Sequence, residues 1–290
     1  EPLRLVKNIL EQALQLAGLA SDQAHCRSNL RHLGSAPIQA ALPHVSAPPN
    51  ERTQPSALII GGTGGIGGAI IEALVREGKF TVHGTTRQPL ASSTGVTWHR
   101  LNITDEPSVA QLAASLDRLN LVINTVGVLS SELYSPEKSI RQASADQFLD
   151  QMRSNAMPLL LLGKHLGPLL KKSQQAHFIT LSARVGSISD NQLGGWFSYR
   201  ASKAALNMLV RTLAIEWQRT LPNTCLAAYH PGTVDTKLSE PFVSKNIASK
   251  SGTPRGKDIL SPAVAAEHLL TLIPKLTPQH TGTFWDWRHN

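Results

Sequence analysis

Cysteine is nearly absent from this chain: Cys26 and Cys225 are the two among 290 residues. Two thiols build no disulfide framework, and neither sits at a metal-ligand spacing, so a reducing compartment is expected. Aromatic residues are scarce at 5%, and they do not interleave with bases. A nucleic-acid partner would need a dense basic stripe with aromatics in it, so none is expected. The net charge of +8 is spread along the chain, apart from a loose group of Lys245, Lys250, Arg255 and Lys257. That group reads either as a solvated loop or as an attractor for an anionic cofactor or substrate. Long apolar runs are missing too. The longest, from Ala156 to Leu162, contains Pro158 and falls well short of a bilayer span, so no transmembrane segment is expected. The 11 histidines form no short-spaced pair such as H-x-x-x-H, and no metal site is expected. With 41% of residues apolar and 17% charged, the composition is that of a soluble globular protein.

Leu3, Val6, Ile9, Leu10, Ala13 and Leu16 recur at helical spacing and predict one short amphipathic helix. From Ser35 to Ser56 the composition shifts to Pro, Ala, Ser and Gln, which reads as a linker. Residues 1–56 are expected to be an N-terminal extension, either the remnant of an organellar presequence or a truncated upstream element. The cytoplasm is the expected location, with an organelle matrix as the alternative.

A regular pattern begins at Ala57. "ALII" predicts a buried strand, followed by "GGTGGIGG" and a helix with Ile66, Ala69, Ile70, Ala73 and Leu74 on one face. "FTVHG", "VTWHRLN", "LNLVINTVG", "HFITLS" and "TCLAAYH" predict five further strands, most separated by helical stretches. Alternating strands and helices predict an α/β fold over 57–290, a single Rossmann-type doubly wound parallel sheet with helices on both faces.

The glycine run sits where such a fold binds a dinucleotide. Gly61 serves the tight turn, Gly65 lets backbone approach a pyrophosphate, and Gly67 lets helix pack close to sheet. The helix N-terminus then offers free N–H groups and a positive dipole end. An NAD site usually carries a carboxylate about 20 residues on. Here that window is "TVHGTTRQ", with Thr85, Thr86 and Arg87 and no acid. Arginine with neighbouring hydroxyls suits a 2′-phosphate, so NADP is the expected cofactor and NAD the alternative.

In "FSYRASKAAL" Tyr199 and Lys203 stand four residues apart and share a helix face. A free phenol has a pKa of about 10, too high for proton exchange near neutrality. A nearby ammonium favours phenolate, so the pair is expected to move a proton to or from a substrate oxygen.

Residues 57–290 resemble the short-chain dehydrogenases/reductases. The matching motifs, in order, are "GGTGGIG", "NTVG" from Asn124 to Gly127, Asn155, the Tyr199/Lys203 pair and "HPGTVDTKLS". "GSISDNQLGGWFSYRASKAALN" and "HPGTVDTKLSEPF" are further similar to the C-factor-like branch. The resemblance implies an NADP(H)-dependent oxidoreductase that interconverts a carbonyl and an alcohol on a small-molecule substrate. It implies Tyr199 as general acid/base, Lys203 on the nicotinamide-ribose hydroxyls and lowering the tyrosine's pKa, and Asn155 helping to hold a proton-relaying water. It implies cofactor contacts from Gly61, Thr63, Gly64, Gly65, Ile66 and Gly67, from Thr86 and Arg87, and from Asn102 and Ile103. Asn124, Val126, Gly127, Pro231, Gly232, Val234 and Thr236 complete that set, together with Tyr199 and Lys203. A homo-oligomer is the family's expectation.

One position departs from the family's pattern. Ala183 stands where a carbonyl-polarising serine is expected, and Ser182 lies one residue earlier. Neighbouring strand residues point to opposite faces. A turn there would let Ser182 reach in as the fourth catalytic residue, and Ser187 is another candidate. Ala183 also supports a rival reading, a catalytically impaired nucleotide-binding regulator of the same fold. Gly194 to Phe197 either line a substrate pocket or close a loop, and Trp285 and Trp287 either pack in the core or make an oligomer contact. Residues 238–258 are expected to cover the substrate.

Overall fold

The computed structural model describes residues 54–88, 94–239 and 259–289. The expected N-terminal helix, the linker up to residue 53 and the basic group at 245–257 lie outside the described residues, as does nearly all of the expected substrate-covering loop.

In chain order the elements are β1 (Ser56–Ile60), α1 (Gly65–Glu77), β2 (Thr81–Thr86), β3 (Val96–Arg100), α2 (Glu106–Ala114) and β4 (Leu121–Asn124). Then come α3 (Ala145–Asn155), α4 (Met157–Lys171), β5 (Ala176–Leu181), α5 (Phe197–Thr220) and β6 (Thr224–His230). The short strands β7 (Thr233–Val234) and β8 (Ile259–Leu260), α6 (Pro262–Leu272) and β9 (Thr283–Asp286) complete the set. Among the described residues, seven strands form one parallel sheet in the order β3-β2-β1-β4-β5-β6-β9. The six strands read from the sequence all form. The seventh, β9, was not foreseen: "TFWD" is only 4 residues long and mixes polar and aromatic side chains, so nothing local marks it as a strand. Trp285 therefore packs as part of a sheet edge, paired in register with Tyr229.

Each face of the sheet has its own core. Leu58, Ile60, Val122, Phe178 and Leu226 pack against α4 and α5, where Leu162, Val210 and Trp217 meet them. Ile59, Ile123, Ile179 and Tyr229 pack on the other face, against Ile70 and Leu74 of α1 and Leu269 of α6. Successive strand residues alternate between these faces. Because both faces are covered, the central strands read as unbroken apolar runs rather than as alternating ones.

Local chemistry sets the helix ends. Asp105, Ser144 and Ser261 cap α2, α3 and α6 by accepting backbone N–H bonds from residues three further on. Gly78 ends α1 in the left-handed region, its N–H donated to Leu74 O at 3.1 Å. The strand order turns back between β1 and β4, which pair with Ile60 opposite Asn124. In an open α/β sheet, the crevice beyond the carboxyl ends of two such strands is where a ligand binds.

Phe178 is fully buried and its ring lies 6.0 Å from that of Trp217. Phe178→Ala is expected to lower the unfolding free energy by about 3–5 kcal/mol, measured by denaturant titration. A loss under about 1 kcal/mol would mean this core is not packed as described.

Candidate active site

At the crevice, the chain turns at Gly61 (φ +83°) directly after β1. The Gly61 N–H donates to Thr85 Oγ1 at 3.0 Å, the Gly62 N–H to Thr85 O at 3.1 Å, and the Gly64 N–H to Gly61 O at 2.9 Å. Thr85, read from the sequence as part of a ribose-end set, thus braces the glycine turn. A Cβ on Gly67 would lie 2.3 Å from Gly61 O, an approach that hydrogen alone permits. Thr63, Gly64 and Gly65 are exposed at the mouth of this turn, and Ile66 is half-buried. No side chain caps α1 and no acid stands in its first turn. An exposed backbone loop leading into an uncapped helix start fits a pyrophosphate.

Asn124 is buried and joins two strands. Its Nδ2 donates to Thr180 Oγ1 at 3.2 Å, and its Oδ1 accepts from the Val126 N–H at 3.1 Å. The Thr125 hydroxyl donates to Ile60 O at 2.8 Å, which ties this segment to β1. Gly127 borders the tyrosine–lysine pair: a Cβ there would stand 3.4 Å from Lys203 Nζ. Across the crevice, Gly232 (φ +82°) has Trp287 where its Cβ would go, 2.9 Å from Cδ1. Trp287 is thus a wall of the Pro231–Gly232 turn. Val234 is buried in β7, and Thr236 approaches Gly65, within 2.8 Å of where a Cβ would stand.

At the other end, Thr86 closes a local turn with Gln88, and Arg87 is exposed without a hydrogen bond or ion pair to another described residue. Arg100 ends β3 in register with Thr86 and brings a second basic residue to that corner, which the sequence reading missed. Asn102 Oδ1 already accepts from the Thr104 N–H and hydroxyl, at 3.2 and 2.9 Å, so its amide NH₂ is the group left for an adenine. Ile103 packs at the margin of the core.

Tyr199 and Lys203 lie in the first two turns of α5 and are 8% and 2% exposed. Lys203 Nζ donates to Leu181 O at 3.1 Å and sits 5.8 Å from the centre of the Tyr199 ring. The Tyr199 hydroxyl makes no hydrogen bond to any described residue. The Trp196 ring meets Tyr199 edge-on at 6.2 Å. Burial pulls the Lys203 ammonium down to about 8 and pushes the Tyr199 phenol above its ordinary value. The lowering of the tyrosine by lysine, expected from the sequence, is outweighed by desolvation in the chain alone.

Asn155 is 3% exposed and engaged on every side. Its Oδ1 accepts from the Val128 N–H at 2.8 Å, and its Nδ2 lies within 3.0 Å of Val128 O, Gln151 Oε1 and Ser202 Oγ. Ser182 is buried, and its hydroxyl donates to Asn207 Oδ1 at 2.6 Å, on the face of the sheet that α5 covers. Ser187 Oγ accepts from the Asp190 N–H within its own loop. His230 ends β6 beside Asp286 of β9, and burial pulls its imidazole down to about 4, so it is neutral at pH 7. Gln151, Ser202, Asn207 and Glu137 all bond residues of this site or next to it and were missed. Apart from Gln151, one helical turn from Asn155, their partners are far away in sequence, and no spacing rule signals them.

Comparison with known proteins agrees with the fold. The family described as short chain dehydrogenase matches residues 55–247. The chain is 29% identical over 184 residues to 1-hydroxy-2-glutathionyl-2-methyl-3-butene dehydrogenase of Rhodococcus sp., covering 63% of this chain and 74% of that protein. It is 28% identical over 221 residues to a tropinone reductase homolog of Arabidopsis thaliana, covering 70% and 79%. Among solved structures, the NADPH-bound carbonyl reductase from chicken fatty liver superposes with a TM-score of 0.68 at 26% identity, over 81% of this chain and 97% of that one. The Sniffer carbonyl reductase of D. melanogaster has the same fold, with a TM-score of 0.67 at 21% identity over 81% and 97%. The chain belongs to the short-chain dehydrogenase/reductase family and is an NAD(P)-dependent oxidoreductase.

Proposed function

We propose that this enzyme interconverts a small-molecule carbonyl and its alcohol with NADP(H), and that Tyr199 is the general acid of the reduction. The observation that carries the reading is the Tyr199 hydroxyl: its side chain is buried beside Lys203, yet the hydroxyl makes no hydrogen bond to a described residue. The hydroxyl is not one of the buried atoms left without a partner, so it stays open to the crevice, where a substrate oxygen could meet it.

The bound nicotinamide would supply a hydride to the carbonyl carbon. Tyr199, protonated at neutral pH, gives its proton to the carbonyl oxygen, and the two transfers together make the alcohol. Lys203, held by Leu181 O, keeps a positive charge next to the phenol and favours the phenolate that forms. Asn155 fixes the Val128 backbone and α5 relative to each other. Ser182 serves the same end through Asn207, and with its hydroxyl proton so committed it is a poor donor to a substrate carbonyl. Ala183 then leaves Tyr199 as the main donor to that oxygen. The absence of an acid after β2, the exposed Arg87 and its neighbour Arg100 favour a 2′-phosphate, as does the NADPH named with the chicken liver structure.

Tyr199→Phe is expected to reduce NADPH oxidation by about 100-fold or more, across a panel of aldehydes, ketones and quinones, while NADPH still binds. Undiminished turnover would remove the proton-transfer role. No turnover in the parent, with tight NADPH binding, would favour the regulator. Arg87→Ala is expected to weaken NADPH by about tenfold or more and NADH much less; equal losses would reject the NADP assignment. Reduction needs both the Tyr199 proton and the Lys203 charge. Lys203 is charged below pH about 8, so kcat/KM should be flat there and decline as pH rises through that value. Lys203→Arg stays charged and should lose that decline, at a lower absolute rate. A profile that rises through pH 8 would contradict this assignment.

A further inference from the structure

We propose that Glu137 is the positioning residue for Tyr199, clamping the first turn of α5 from the loop between β4 and α3. The inference rests on the catalytic role given to Tyr199 above. Glu137 is 1% exposed, and a carboxylate so buried ordinarily has a cation beside it. Glu137 has no ion pair with a described residue. Its carboxylate accepts instead from Ser198, through the side-chain hydroxyl and through the backbone N–H at 3.2 Å. Its backbone carbonyl accepts the Trp196 N–H.

The first turn of α5 needs this help. Its N-cap, Trp196, has a left-handed backbone (φ 54°, ψ 41°) and offers no side-chain cap. A bulky residue in that conformation is strained, and strain persists only where surrounding contacts impose it. The first N–H groups of a helix lack internal partners, and a negative charge is favoured at that end. Glu137 supplies both the acceptor and the charge. Tyr199 is the residue directly after Ser198, and the strained Trp196 puts its ring edge against the tyrosine ring. A frayed first turn would release both.

The clamp is itself anchored. Gln147 Nε2 donates to Ser135 O at 3.1 Å, Gln151 Nε2 donates to Leu129 O at 3.2 Å, and the Tyr134 hydroxyl donates to Asp150. Three side chains of α3 thus hold the loop that carries Glu137. On the far side, the Arg200 guanidinium donates to Gly194 O, Gly195 O and Val185 O and so secures the segment leading into the helix. The tyrosine is therefore placed by the packing of α3 as well as by its own helix.

The test uses the full chain with NADPH and the carbonyl panel. Amide hydrogen exchange at Ser198 and Tyr199, the NADPH dissociation constant and kcat are measured for the parent, Glu137→Ala, Glu137→Gln and Ser198→Ala. Glu137→Ala is expected to speed exchange at both amides by about tenfold and to lower kcat by about tenfold, with NADPH binding within about twofold of the parent. Glu137→Gln keeps an acceptor for Ser198 and should recover most of both losses. If Glu137→Ala does not fold, Ser198→Ala keeps the carboxylate and one bond and should show smaller changes of the same sign. Unchanged exchange would overturn the clamp. Faster exchange with kcat within about twofold of the parent would show that it does not position Tyr199. A parent without turnover would defeat the proposed reaction instead, and the exchange rates would still decide whether the clamp exists.

Discussion

The Lys203 ammonium sits in the interior with a backbone carbonyl for its partner, and the site is arranged around that fact. An amino group 2% exposed needs an acceptor, and Leu181 O at the end of β5 provides one. That bond fixes α5 against the sheet at the level of the crevice. It places the lysine's charge within reach of the Tyr199 ring and leaves the tyrosine hydroxyl free. Burial pushes both groups toward their neutral forms, so an anionic tyrosine beside a cationic lysine is a state the chain alone resists. The phenol of Tyr199 therefore keeps its proton in the chain alone.

Around that pair, almost every polar group has a structural partner. Asn155 joins Val128, Gln151 and Ser202; Ser182 joins Asn207; Asn124 joins Thr180 and Val126. These bonds link the carboxyl ends of β4 and β5 to α3 and α5, which is why those elements keep their register at the crevice. Unlike the side chains just named, the Tyr199 hydroxyl makes no hydrogen bond to a described residue. The Ser182 hydroxyl, by contrast, is engaged with Asn207.

Much of the fold was legible because a doubly wound sheet has a strong local signal. The central strands could be read as apolar runs, and the first helix by its period, since both faces of the sheet are covered there. The seventh strand was not legible. "TFWD" becomes a strand only because β6 offers an unpaired edge and Trp285 finds core to pack on. The site was legible for a related reason. Gly61 and Gly67 are required by a close approach that is local in sequence, and Tyr199 and Lys203 by one turn of one helix. Glu137 and Asn207 gave no such sign, because each bonds a residue brought near by other elements.

The sequence by itself determined the class of chemistry: glycines where backbone must approach backbone, a phenol and an amine one helical turn apart, and no acid where an NAD site would carry one. Those are consequences of chain geometry over a few residues. The tertiary structure decided which of these groups is free to react. Burial set the direction of both proton affinities, a partner on α5 engaged the Ser182 hydroxyl, and a carboxylate from a distant loop accepts from the first turn of α5. Such outcomes depend on solvent exclusion and on contacts between remote segments, and these exist only once the sheet has closed on its helices.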